Sequence, residues 1–313
     1  MRTALLLALL SLTIWADAHV FVYHRFGDAK HASTNISLAN LKKQFDYFKE
    51  NHYEVVPLSK LNQALKTEQK VPDNWVVFCI DDSYKSFYEN GLALFKEYQY
   101  PFTLFVYIEA TDKHYGDFMS WEQIKETQEY GQIGLHSYAH KHMVSLNPKQ
   151  MKEDTNKALS SFKKHLGYTP KYYAYPFGEF DENLKNVISS YGFELILNQN
   201  VGAVSSKSPR DDLDRIALTG DVNLKHKLRI KYLNATWHSP KNYPTNGKLN
   251  EIHVTMPTSI HKAELYVSGG AWEAINVDAG EFKTNKTYPL RFKRTRVIIK
   301  HGNAYTSKII VKK

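Results

Sequence analysis

The chain has almost no cysteine. Cys79 is the single one among 313 residues, which excludes an internal disulfide. It lies in the apolar run Trp75-Val76-Val77-Phe78-Cys79-Ile80, the setting of a packed strand thiol rather than a reactive one. Beyond the N-terminal stretch the sequence also lacks any apolar run long enough to cross a bilayer. Internal repeats, low-complexity tracts and nucleic-acid-binding motifs are missing too, so no nucleic-acid partner is expected. What is present is a hydrophobic fraction of 42% in a length that suits one large domain and a small one. With no disulfide, such a fold is held by its core, by metal, or by both.

The first residues read as a leader. Met1-Arg2 precedes an apolar run over 4–15, and Ala16-Asp17-Ala18 follows. A short charged start, an apolar stretch too short to span a bilayer and an Ala-x-Ala end describe a secretory signal peptide over 1–18. An uncleaved N-terminal anchor is the alternative. Cleavage after Ala18 would export the mature chain, without a transmembrane segment, to the periplasm or the extracellular space.

Charge is unevenly placed. Residues 236–313 carry 13 Lys+Arg against 5 Asp+Glu, a net of +8, while the rest of the chain stands at +1. A basic module on a neutral one suits contact with an acidic polymer or surface, or else a solubilising face.

Short apolar runs alternate with helical periodicities up to about residue 233. Strands are expected at 20–23, 53–57, 75–80, 102–108, 132–135, 172–175, 193–197 and 215–218. Helices are expected after Ser37, from the capping box Ser120-Trp121-Glu122-Gln123, from Asn147-Pro148, and from Asp181 to Tyr191. Alternation implies a parallel sheet, and seven or eight strands in about 215 residues favour an irregular (β/α) barrel over a doubly wound sheet. After Thr236 the pattern turns to short alternating runs at 251–256, 263–267, 294–300 and 308–311. These predict a small all-β, sandwich-like domain. The expected organisation is a leader at 1–18, a barrel domain at 19–235 and a β-rich accessory domain at 236–313.

Three clusters fall just past expected strand ends, where a barrel places its chemistry. Asp81-Asp82 puts two carboxylates in differing directions, so that one can bind a cation while the other faces water beside it. His136 and His140, four residues apart, can meet one ion in a tight turn, although exposed loop histidines often show that spacing. His114 and His142 lie off it and read as surface residues. Tyr175-Pro176-Phe177-Gly178 makes a rigid turn offering a ring and backbone amides, or a turn alone. Together, one Asp and two His make a three-ligand site for Zn²⁺ or a similar ion with room for water, and the second Asp becomes a base beside it.

Ile80-Asp81-Asp82, His136-Ser137-x-x-His140 and Tyr175-Pro176-Phe177-Gly178 resemble, in order, the motifs of polysaccharide deacetylases, the NodB-homology or family 4 carbohydrate esterases. Pro101-Phe102-Thr103-Leu104-Phe105-Val106 and Gly134-Leu135-His136 fit the same pattern. The resemblance spans about 19–233 and excludes the C-terminal module. It implies that Asp81 is the base and that Asp82, His136 and His140 hold the metal. Zn²⁺ comes first, with Co²⁺, Ni²⁺ or Fe²⁺ as alternatives. It further implies that Tyr175, Pro176 and Phe177 line the site, with the Phe177 amide as oxyanion donor.

Two departures stand out. Many members carry Arg where Ala174 stands, and a Leu-x-His near the end of the domain supplies their acid, whereas none follows Arg215 here. Exopolysaccharide deacetylases that resemble poly-N-acetylglucosamine de-N-acetylases have a permuted motif order and use an N-terminal Tyr-His. Tyr23-His24 matches that pattern, making His24 the expected general acid, against a satisfied core histidine. Arg215 is the candidate for the missing guanidinium, against a surface salt bridge. The expected function is metal-dependent hydrolysis of N-acetyl groups from an N-acetylglucosamine polysaccharide, with release of acetate. Peptidoglycan as substrate, or a non-catalytic polysaccharide-binding protein on the same fold, are the alternatives.

Overall fold

The structure is a computed structural model that describes residues 17–313. The expected leader lies outside the described residues except for Asp17 and Ala18, and these are tied into the fold. Ala18 exchanges two backbone hydrogen bonds of 2.8 Å with Val204, and Asp17 accepts one from the Tyr232 amide.

Seven parallel strands form the barrel: β1 His19–Tyr23, β2 Trp75–Asp81, β3 Thr103–Val106, β4 Gln132–Leu135, β5 Tyr172–Ala174, β6 Leu195–Leu197 and β7 Ile216–Ala217. Their spatial order is β7-β1-β2-β3-β4-β5-β6, and Glu54–Val55 adds a short parallel partner beside the start of β2. Leu197 bridges Leu213 in parallel, while Ile216 pairs with Phe21. The segment 213–217 therefore leans on β6 at its start and on β1 at its end, and it closes the ring.

Side-chain alternation along the strands makes two cores. Phe21, Tyr23, Phe78, Leu104, Leu135 and Tyr173 face outward, under helices α1 Leu38–Glu50, α3 Leu92–Tyr98, α4 Trp121–Gln128, α5 Pro148–Leu166 and α6 Glu182–Ser189. Val20, Val22, Val77, Cys79, Phe105, Ala174 and Leu197 face the lumen, which Leu58, Leu61 and Leu65 of α2 Leu58–Lys66 help to fill. Cys79 is buried there, and desolvation raises its thiol pKa to about 12. Caps at Ser37, Ser120, Asn147 and Asp181 set the helix starts, with full capping boxes at Ser120 and Asn147.

Helices α2 and α3, and the short helices Ile108–Asp112 and Leu224–Lys227, are not among those expected. The strand expected over 102–108 stops at Val106, because Ile108–Asp112 turns helical and its first amides bond the Ser137 and Tyr138 carbonyls. No helix among the described residues is long and apolar enough to cross a membrane.

The C-terminal region contains β8 Lys231–Tyr232, β9 Thr236–Ser239, β10 Ile252–Thr255, β11 Lys262–Val267, β12 Glu273–Asn276, β13 Glu281–Thr284, β14 Arg294–His301 and β15 Ala304–Val311. One sheet runs β8-β15-β14-β11-β12 and another β9-β10-β13. Ile252, Val254 and Phe282 of the second meet Leu265, Val297 and Ile299 of the first in a separate core.

Candidate active site

Three loops leave the C-terminal ends of β2, β4 and β5 and meet over the lumen. Each is strained. Asp82, Ser83, Ser137, His140 and Phe177 all have φ between 47° and 73°, a basin that non-glycine residues avoid. Such strain persists where surrounding contacts over-determine it. Asp154 on α5 supplies such contacts, accepting the Tyr138 and Ala139 amides at 2.8 and 3.0 Å, while the Ser137 hydroxyl accepts the His140 amide at 3.0 Å.

Asp82 Oδ1 lies 3.3 Å from His136 Nε2 and 3.0 Å from His140 Nε2, and the two nitrogens are 3.2 Å apart. The three donor atoms fall within 4.8 Å of one another. His136 Nδ1 sits 2.7 Å from the Ala174 carbonyl, which can only accept, so Nδ1 carries the proton and Nε2 of the neutral ring is a lone pair. Asp82 Oδ1 is buried without a well-directed hydrogen bond. Burial alone would raise its pKa, yet the two histidines, when they carry a proton at Nε2, hold it well below the usual carboxylate range. A carboxylate and two imidazole nitrogens converging in this way fit a divalent cation.

Asp81 continues the inward alternation of Val77 and Cys79, and it is fully buried. Arg215, 1% exposed, forks onto it, with Nη1 donating to Oδ1 at 2.7 Å and Nη2 to Oδ2 at 2.8 Å. Nε donates to the Asn198 carbonyl at 2.7 Å, which fixes the fork. Burial pushes the Asp81 carboxyl up, but the guanidinium overrides it and leaves the pKa below its ordinary value. Asp81 Oδ2 is 3.9 Å from His136 Nε2. Arg215 is thus a fully buried partner of Asp81, not a surface ion pair.

Tyr23 pairs with Ile80, so the register carries His24 alongside Asp81. Its Nδ1 is buried without a partner, and burial lowers the ring's pKa against the pull of the Asp82 and Asp81 carboxylates. His24 is therefore not a satisfied core histidine.

The third loop divides. Phe177 is part-exposed, with its ring 4.6 Å from His140. Pro176 is buried. Tyr175 is 0% exposed and stacks on Phe180, so its ring belongs to the core and does not line the cleft.

Several rings that the sequence did not single out complete a rim. Tyr84 and Phe118 lie 4.8 Å apart, Tyr107 is 5.4 Å from Phe118 and 5.2 Å from His140, and His142 stacks on Phe177 at 4.2 Å. Arg25 covers the Tyr84 ring at 3.6 Å. His142, expected as a surface residue, is exposed, but its Nδ1 pairs with buried Glu179 at 2.7 Å. Tyr84 and Tyr107 stand just past the ends of β2 and β3, the one signal that could have found them.

Residues 68–196 match the model of the polysaccharide deacetylase family, a match that covers the middle of the barrel. A poly-beta-1,6-N-acetyl-D-glucosamine N-deacetylase of Staphylococcus aureus (strain MSSA476) is 24% identical over 215 residues, covering 64% of this chain and 74% of its own. Among solved structures, IcaB from Ammonifex degensii superposes with a TM-score of 0.57 at 25% identity, covering 65% of this chain and 92% of its own. A Streptococcus pyogenes deacetylase, PplD, gives 0.62 at 18% identity, covering 67% and 96%. The matched span contains all three motif loops but neither His24 nor Arg215, so their placement rests on geometry.

Proposed function

We propose that this protein hydrolyses N-acetyl groups on an N-acetylglucosamine-containing polysaccharide, freeing the amine and releasing acetate. The observation that carries this is a buried carboxylate, Asp81, clamped in a two-point fork by Arg215 beside the converging donors Asp82, His136 and His140. A divalent cation held by those three residues would supply Lewis acidity at the acetyl carbonyl and acidify a water there. Zn²⁺ suits two imidazoles and a carboxylate, and Co²⁺, Ni²⁺ or Fe²⁺ suit them less specifically.

Asp81, kept ionised and aimed by Arg215, takes the proton of the attacking water. The Phe177 amide donates toward the oxyanion that develops on the acetyl oxygen. His24, beside Asp81, gives its proton to the nitrogen as the C–N bond breaks. The rim of Tyr84, Tyr107, Phe118 and Phe177 offers faces for sugar rings.

An exopolysaccharide is favoured over peptidoglycan, with the Staphylococcus relative and the Tyr23-His24 start in support. Work outside the cytoplasm is supported by the leader-like first 18 residues. The net charge of +8 over 236–313 supports contact with an acidic polymer or surface.

The test is acetate release from N-acetylated polymers by wild type and by Asp81→Asn, with bound metal measured in both. The wild type is expected to release acetate, and to stop when a chelator is added. Asp81→Asn is expected to lose at least about a hundredfold in kcat while keeping its metal. Activity that survives the substitution removes Asp81 from the role of base.

A further inference from the structure

The C-terminal sheet sends one arginine onto the loop that carries Phe177 and a second onto the segment after β6 that packs against it. β14 opens with Arg294-Thr295-Arg296. Thr295 is 0% exposed and points into its own module, so alternation sends both arginines to the opposite face. Arg294 Nη2 donates to the Phe177 carbonyl at 2.8 Å, and its Nε lies 3.0 Å from Glu179 Oε1. Arg296 Nη2 donates to the Gln199 carbonyl at 3.0 Å, and Gln199 is the residue against which Gly178 packs without room for a Cβ. The two guanidinium groups thus hold both layers of the turn.

From Arg294 a continuous path of charged and packed groups leads to the metal-site histidines. The Glu179 side chain is fully buried between Arg294 and His142. The His142 ring stacks on Phe177 at 4.2 Å and 14°, and Phe177 meets the His140 ring at 4.6 Å.

We propose that Arg294 is a positioning residue for deacetylation, one that fixes the Phe177 turn from the C-terminal module. The inference rests on the deacetylase reading above. Phe177 holds φ at 57°, a basin that a non-glycine residue leaves unless restrained. The carbonyl that Arg294 grips belongs to the peptide joining Phe177 to Gly178, so its release frees that peptide to rotate and shifts the adjoining Phe177 amide. A planar guanidinium serves this carbonyl and Glu179 together, whereas an ammonium is a point charge that satisfies one of them. The C-terminal module is then part of the working site and not only a polymer-binding appendage.

The experiment uses the full chain, a short N-acetylglucosamine oligosaccharide and acetate release, with melting temperature and bound metal read on the same samples. Wild-type release by itself decides the deacetylase reading. Arg294→Lys is expected to keep its metal and its KM within about threefold while kcat falls about ten- to a hundredfold, as a displaced catalytic group implies. The double variant Arg294→Met with Glu179→Gln removes the buried charge together with its partner. Its melting temperature is expected to return toward wild type while kcat stays low, and amide exchange over residues 175–180 is expected to quicken. Wild-type kcat in Arg294→Lys, or kcat that recovers with melting temperature in the double variant, overturns the positioning role. If the wild type releases no acetate, the exchange measurement still decides whether Arg294 holds the turn: faster exchange over 175–180 supports it and unchanged exchange overturns it.

Discussion

Arg215 and Asp154 are placed to act through other residues, and each can be separated from the groups it contacts. Arg215→Lys keeps a positive charge beside Asp81 but loses the two-point fork and the anchor on Asn198. A fall of about ten- to a hundredfold in kcat/KM with unchanged metal content is expected, because orientation and not charge is lost. Asp154→Ala frees two amides of the loop that carries His136 and His140. Metal affinity should weaken about ten- to a hundredfold by competitive chelator titration, the usual cost of losing a residue that orients ligands. Wild-type affinity would mean that the loop holds its shape unaided. The residues in contiguous motifs were legible in the sequence: Asp81, Asp82, His136, His140 and Phe177 sit where short spacing and strand ends put them. Asp154, His142 and Glu179 were not, since their partners lie 15 to 115 residues away and a lone acid or histidine carries no local signal.

Among the elements, the turn after β5 is the most tightly specified. Gly178 has φ of 66°, and a Cβ there would collide with the backbone nitrogen of Gln199. Gly178→Ala should therefore cost roughly 2–3 kcal/mol in urea denaturation, combining backbone strain with overpacking. A cost near zero would mean that the two layers can part freely. Strands buried on both faces and helices with boxed caps were readable, because each rests on local pattern. α2 was missed although Leu58, Leu61 and Leu65 recur at helical spacing, because the run is only nine residues long and no side-chain cap marks its start. The strand at 102–108 was read too long, since Ile108 is as apolar as a strand residue, yet its amide bonds the loop carrying His136 and His140. β9, β12 and β13 were overlooked because their exposed, alternating residues give a weak apolar signal.

For the molecule as a whole, the seam between barrel and C-terminal module carries a pH dependence. Asp212 and Asp214 both accept from the Asn198 amide, with Lys185 3.8 Å from Asp212. Burial raises their pKa values, to about 6 for Asp212 and about 7 for Asp214. A carboxyl with a raised pKa binds its proton more tightly folded than unfolded. Its contribution is therefore most favourable below the unfolded value of 3.8 and is lost as pH climbs through about 7. Asp214→Asn cannot ionise, so its melting temperature relative to wild type should rise by a few degrees between about pH 5 and pH 8. A difference that stays flat across that range would mean that Asp214 ionises freely in the folded protein.

The closure of the ring by residues 213–217 bears on ancestry. Because Phe21 pairs with Ile216, the first and last strands of the barrel stand side by side. A histidine just beyond either strand overhangs the same quarter of the mouth. A donor lost at one end of such a gene can be regained at the other with almost no displacement in space. The barrel assigns tasks by angle around its axis, and the order of those tasks along the chain is free to drift.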